Sequence, residues 1–376
     1  MNKVLIIIFS IFLFISCVEK KEKHSIDYNL IKTESPKYAK GFNIEYYDEF
    51  QVINIFNPWK ENEIQEKIFV TTSDDITFPP KSIVIKSPLK KIAITSCTHI
   101  EFINLLGEIE KIKGVCSPEL IYNNTIQQLY KDKKITNLGD AFNINIEQLL
   151  NLNPDGIMLA TYNKQDNNTQ RLEHCGIKLL YNNEWTESSL LGRAEWIKYF
   201  GILFDKKAEA DSIFFKIESN YKEATQLATQ IKNKKSVMVG SNFKGTWYVP
   251  GGKSFMGQLL NDAGAEYYFS NTDDTQSIPL NFETVLDKFY NADVWLNAPT
   301  ATMQELFSID PRHKLFKSAQ HNDVYAFLAK SNKNGANDFW ESGVAHPDLL
   351  LKDMIWALYP EVMANYSPYY ILKLKQ

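Results

Sequence analysis

The chain has 376 residues, 44% hydrophobic, 13% aromatic and 23% charged, with a formal net charge of −4. That is a globular composition with material for a sizeable core, which excludes disordered, collagen-like and low-complexity scaffolds. No basic excess is present to follow a phosphate backbone, so nucleic acid is not expected as a partner, and the single apolar run at the extreme N-terminus excludes a multi-span membrane protein.

Met1-Asn2-Lys3 is a short cationic start, Val4 to Ile15 is almost uninterrupted aliphatic and Phe, and the charges begin at Glu19. About a dozen apolar residues are too few to span a bilayer and suit the apolar region of a signal peptide. The end of that run, Phe14-Ile15-Ser16-Cys17, resembles a bacterial lipobox with Phe14 in place of the usual Leu. The resemblance implies a lipoprotein signal over 1–17, with Cys17 as the lipid-modified first residue of the mature protein. Residues 18–40 are polar and lysine-rich and read as a tether to the folded body. Over 41–88, Phe42, Ile44 and Tyr46 alternate with polar residues, Val52 to Phe56 and Ile68 to Val70 follow, and prolines punctuate them, which predicts a small β extension.

From Lys90 the rhythm becomes strand, helix, strand. Ile92 to Thr95 predicts a buried strand. Thr98-His99-Ile100-Glu101 has the spacing of a capping box, and Gly107 is placed to end the helix it opens. Ile112 to Val115, Gly156 to Ala160 and Ile177 to Leu180 continue the pattern as an N-terminal lobe over 89–185. The alternation stops over 186–235, where Asp205 is placed to cap a helix carrying Ala208, Ile213, Phe214, Ile217, Tyr221 and Ala224 at helical spacing. A helix of roughly 25 residues would be about 38 Å long. The β/α rhythm restarts in a C-terminal lobe over 236–376, with strands at Val237–Val239, Val294–Leu296 and Val324–Ala326 and a helix from Ser254 to Asn261. The two halves echo one another: Asn145-Ile146-Glu147 and Asn281-Phe282-Glu283 each open a short helix, and Asp155 or Asp293 precedes the next strand. The fold class is α/β: two Rossmann-like lobes joined by one long rigid helix, with a ligand cleft between them.

The order of these stretches, from Lys91 through Gly107 and Gly114, from Asn145 to Ile157, the long helix from 205, Phe282 to Leu286, and His346 to Asp353, resembles the substrate-binding lipoproteins of bacterial importers for iron–siderophore complexes, haem and cobalamin. The resemblance implies a monomer on the periplasmic side or cell surface that captures a small metal chelate. It also implies delivery to a permease dimer driven by an ATPase. One glutamate on each lobe is implied to dock on permease arginines, and by motif these are Glu147 and Glu283. The expected cargo is an iron–siderophore chelate, with a corrinoid or haem as the alternative, and neither a resident cofactor nor an enzymatic step is implied. A lipid-anchored surface hydrolase is the alternative of another class.

In α/β sheets ligands sit beyond the carboxyl ends of the strands, which selects five loops. They carry Ser96, Thr98 and His99; Tyr162; Trp185; Lys244, Trp247 and Tyr248; and Phe339 with Trp340. Facing Trp and Tyr rings suit a large, flat or greasy ligand. Only Arg171, Arg193 and Arg312 are arginines, which weighs against a tricatecholate and leaves hydroxamates, citrate-like chelates and corrinoids open. Gly251-Gly252-Lys253-Ser254 has the end of a phosphate-binding loop, but its first glycine is replaced by Trp247. The six histidines form no metal-binding pair in sequence, so no metal site is expected. Cys97, Cys116 and Cys175 are too few for a disulfide framework, and both a Cys97–Cys116 bridge and free thiols remain open.

Overall fold

The computed structural model describes residues 29–160 and 167–376; the expectations for Cys17 and Tyr162 lie outside the described residues. The first sheet runs Leu30–Glu34, Phe42–Tyr47, Phe50–Phe56, Ile64–Thr71 and Ile83–Lys86 in chain order, antiparallel except for its last pair. One face buries Phe42, Ile44, Ile53, Ile55, Ile68 and Val70. Leu30–Glu34 corrects the tether expectation. It pairs with Phe42–Tyr47 as an edge strand whose side chains are almost all exposed, so backbone hydrogen bonds rather than an apolar pattern hold it. The chain after it is pinned as well. The Glu195 carboxylate accepts from the N–H groups of Lys37, Tyr38 and Ala39, and Glu187 accepts from those of Lys40 and Gly41. Gly41 is required there, because a Cβ would stand 2.6 Å from the Trp196 ring.

The N-terminal lobe has a five-stranded parallel sheet in the order Leu179–Tyr181, Gly156–Leu159, Ile92–Ile94, Ile112–Val115, Thr136–Asn137. The C-terminal lobe places Ser236–Val239 between Glu266–Tyr267 and Val294–Leu296, again parallel, and a bridge from Trp295 to Val324 extends it. In both lobes the first strand is central, the second lies on one side and the strand after the Asn-capped helix on the other.

The echo in the sequence is a pair of matching devices. Asn145 Oδ1 accepts from the Gln148 N–H at 3.0 Å, and Asn281 Oδ1 from the Thr284 N–H at 2.8 Å. Each cap satisfies donors that the helix start leaves open. Asp155 Oδ2 accepts from the N–H groups of Lys90 and Lys91, both at 2.8 Å, and Asp293 Oδ2 from the N–H of Ser236 at 3.0 Å. In each lobe this ties the start of the central strand to its neighbour.

The connecting helix spans Lys207–Thr229, 23 residues or about 35 Å. Ala210, Phe214, Ile217, Tyr221, Ala224 and Ala228 form its buried stripe, whereas Ala208 is exposed. It packs on Ile197–Leu203 at one end and on Pro347–Leu358 of the C-terminal lobe along the rest. Asp205 does not cap it: that residue sits at φ 56, one step before Lys206, which holds the cap position without a side-chain bond.

Candidate functional site

The turn Ser96–His99 leaves the central strand of the N-terminal lobe. Ser96 Oγ accepts from the Thr98 N–H at 3.3 Å and lies 2.9 Å from Thr98 Oγ1. The expected capping box is absent. Ser96 caps a single tight turn, and Glu101 faces across the lobe junction, where its Oε1 meets His346 Nε2 at 2.9 Å and its Oε2 accepts from Asn104 Nδ2 at 3.0 Å. A second polar contact crosses the junction. The Glu341 carboxylate accepts from the N–H groups of Tyr122 at 2.7 Å and Asn123 at 2.9 Å. Burial lifts this carboxyl to about 7 although both N–H groups favour its charged form.

Two fully buried groups face each other here, His99 of the turn and Glu184. His99 is held down to about 3 by burial alone and is neutral. Glu184 is lifted to about 7 by burial, against the Thr98 hydrogen bond and the nearby Arg193 charge. Their closest atoms, Nε2 and Oε2, are 4.0 Å apart, and neither His99 nitrogen nor Glu184 Oε2 has a hydrogen-bond partner among the described residues. Cys97 and Cys116 are free thiols, both pushed up to about 12 by burial, so they are protonated and unreactive.

Trp185 follows Glu184 and is 38% exposed; its carbonyl accepts from Arg193 Nη2 at 2.8 Å. From the other lobe, the short helix Asp338–Glu341 packs on the Cys97–His99 turn and carries Trp340, 50% exposed. Glu184 of the same lobe and the helix Asp338–Glu341 of the other thus meet the turn, and each stands next to or carries an exposed tryptophan. Phe339 is buried, stacked on Phe327 at 4.3 Å, and serves as the floor under Trp340.

Trp247 corrects a site expectation. It is 0% exposed, packed among Trp295, Phe316, Phe282 and His313, with its indole N–H donated to the Val239 carbonyl at 2.9 Å. Strand alternation sends it inward and Tyr248 outward. His99 and Phe339 are likewise buried rather than displayed. Lys244 sits at φ 52 on a hairpin tip, its ammonium over the Phe243 ring. Glu147 and Glu283 are both exposed in the first turns of their helices, and Arg312 Nη1 stands 3.6 Å from Glu283. Among the described residues no group of three or more His, Cys, Asp or Glu side chains could hold a metal ion. The cross-lobe pairs were not legible beforehand, because their partners are 219 and 245 residues apart and carry no local signal.

Two parallel α/β lobes, one bridging helix and polar turns meeting at the junction define a two-lobe solute-binding fold. The chain belongs to the periplasmic binding protein family, whose sequence model matches residues 92–329. It is similar to a lipoprotein of Methanocaldococcus jannaschii, 25% identical over 393 residues, covering 95% of this chain and 92% of the relative. It is also similar to the high-affinity heme uptake system protein IsdE of Staphylococcus aureus, 25% identical over 208 residues, covering 54% of this chain and 68% of the relative. The structure of IsdE complexed with heme shares the fold with a TM-score of 0.51 at 21% identity, over 71% of this chain and 98% of that one. A periplasmic heme-binding protein of Pseudomonas aeruginosa does so at 0.57 and 14%, over 77% and 99%.

Proposed function

We propose that this chain is the solute-binding lipoprotein of an ABC importer and that it captures an iron chelate at the lobe junction for delivery to a permease and its ATPase. The observation that carries the reading is the Ser96–His99 turn, met by Glu184, the neighbour of exposed Trp185, and by the helix Asp338–Glu341 of the other lobe, which carries exposed Trp340. Half-open indoles offer apolar, π-rich contact, while the turn offers hydroxyls. Two of the three arginines are already held by the protein. Arg193 lies over the Phe255 ring and bonds the Trp185 carbonyl, and Arg312 is bound to Asp310. This favours a neutral chelate of the trihydroxamate kind over a polyanion. Haem is the second reading, because IsdE and the Pseudomonas protein bind it by name. The hydrolase alternative finds no support in a family of binding proteins.

In this reading Cys17 anchors the chain at the periplasmic or cell-surface side, and Glu147 and Glu283 meet the permease. Titrating the purified chain with a ferric trihydroxamate, haemin and cyanocobalamin, followed by visible absorbance, tests it. A saturable 1:1 complex with the trihydroxamate or haemin, with a dissociation constant of about a micromolar or tighter, is expected. Binding of cyanocobalamin alone, or of none of the three, overturns the iron-chelate reading.

A further inference from the structure

We infer that the N-terminal extension supplies a ligand-contacting residue: Trp59, at the tip of the hairpin joining Phe50–Phe56 to Ile64–Thr71, forms with Trp185 an aromatic edge to the lobe junction that takes the flat or apolar side of the chelate. The inference rests on the proposed function, and it concerns a segment that precedes the family match at residue 92.

The tip is a built structure. The Asn57 N–H donates to the Glu63 carbonyl at 2.8 Å, Asn57 Nδ2 to Glu63 Oε1 at 3.0 Å, and the Trp59 N–H to Asn57 Oδ1 at 3.0 Å. Lys60 and Glu63 pair at 3.2 Å, so the tip presents a ring beside a neutralised pair of charges. Beneath the tip the extension is tied to the loop that bears Trp185. Asn183, fully buried, donates from Nδ2 to Gln65 Oε1 at 3.1 Å, and the buried Glu66 carboxyl accepts from the Tyr181 backbone. The hairpin that bears Trp59 is therefore fastened to the loop that bears Trp185.

The two indoles stand 6.3 Å apart at an interplanar angle of 54°, and they are 39% and 38% exposed. Three other tryptophans, Trp196, Trp247 and Trp295, are fully buried. Trp59, Trp185 and Trp340 are the exposed indoles among the described residues, and large apolar rings stabilise through burial, so a ligand that covers this pair gains from them. Trp185 follows Glu184, which bonds Thr98 and approaches His99 to 4.0 Å, so the loop that bears the pair adjoins the Ser96–His99 turn. A bound chelate covering both rings completes their burial.

The test is Trp59→Ala in the full chain, with dissociation constants measured for the ferric trihydroxamate and haemin alongside Trp340→Ala. The expected result is roughly ten- to thirtyfold weaker binding of whichever probe the wild type holds, with Trp59→Phe retaining most of the affinity. A melting temperature within about 2 °C of wild type shows that the loss is local. Wild-type affinity in Trp59→Ala, while Trp340→Ala is weakened, overturns the inference and leaves the proposed function standing. If the wild type binds neither probe, the functional reading falls and this inference with it.

Discussion

Burial separates side chains that serve the core from those that serve the surface of the site. Trp247 packs against four aromatic rings and donates its N–H to Val239, so Trp247→Ala removes both contacts and leaves a cavity. We expect a loss of about 3–5 kcal/mol in chemical denaturation, and an unchanged midpoint would contradict the core assignment. His99 and Glu184 act on pH dependence in opposite directions. His99, held near 3 in the fold against an ordinary value of 6.5, must charge on unfolding, so its contribution is complete above 6.5 and lost as pH falls toward 3. Glu184, lifted from 4.5 to about 7, keeps a proton in the fold that the unfolded chain releases, so its contribution is complete below 4.5 and lost as pH rises through 7. In Glu184→Gln the second effect disappears. The melting temperature of the variant relative to wild type should climb between pH 5 and 7, and a flat difference would refute it.

At the scale of elements, the twin Asn caps and twin Asp ties give the two lobes the same construction. Asp155→Ala and Asp293→Ala each free backbone donors at the start of a central strand, and each should cost about 1–2 kcal/mol in chemical denaturation. A loss confined to one lobe would break the equivalence. This construction was readable from the sequence because Asn-x-Glu and the Asp before the strand recur in order. The long helix was readable because its apolar spacing runs unbroken, although its start was misplaced where Asp205 turns left-handed. The strand Leu30–Glu34 was not readable, since its side chains face water and only its backbone pairs. Strand alternation through Thr246–Pro250 would have distinguished Trp247 from Tyr248, had the turn preceding it fixed the register. The cross-lobe contacts were invisible for another reason: Glu341 meets two backbone N–H groups, which no side-chain motif records. Glu341→Ala leaves those donors to water, so the amides of Tyr122 and Asn123 should exchange hydrogen faster than in wild type. Unchanged protection would mean that the contact does not hold the lobes together.

For the whole molecule, the bridging helix packs on Pro347–Leu358 of the C-terminal lobe and on Ile197–Leu203, which in turn packs on Ile100–Leu105 of the N-terminal lobe, so the junction is set by a helical strut and two polar contacts. That geometry separates capture from delivery. Glu147 and Glu283 stand in the first turns of helices, each beside its Asn cap, and neither belongs to the Ser96–His99 turn. The double variant Glu147→Ala and Glu283→Ala is therefore expected to keep chelate affinity within about twofold while uptake in cells is lost. Loss of affinity would show that these residues serve the site and not the permease.

The most direct measurement is the visible spectrum and iron content of the full-length protein purified from its native host under iron limitation. The account predicts about one iron per chain, with a trihydroxamate or porphyrin band that Trp340→Ala diminishes. A colourless, iron-free protein that binds neither chelate when they are added back would contradict it.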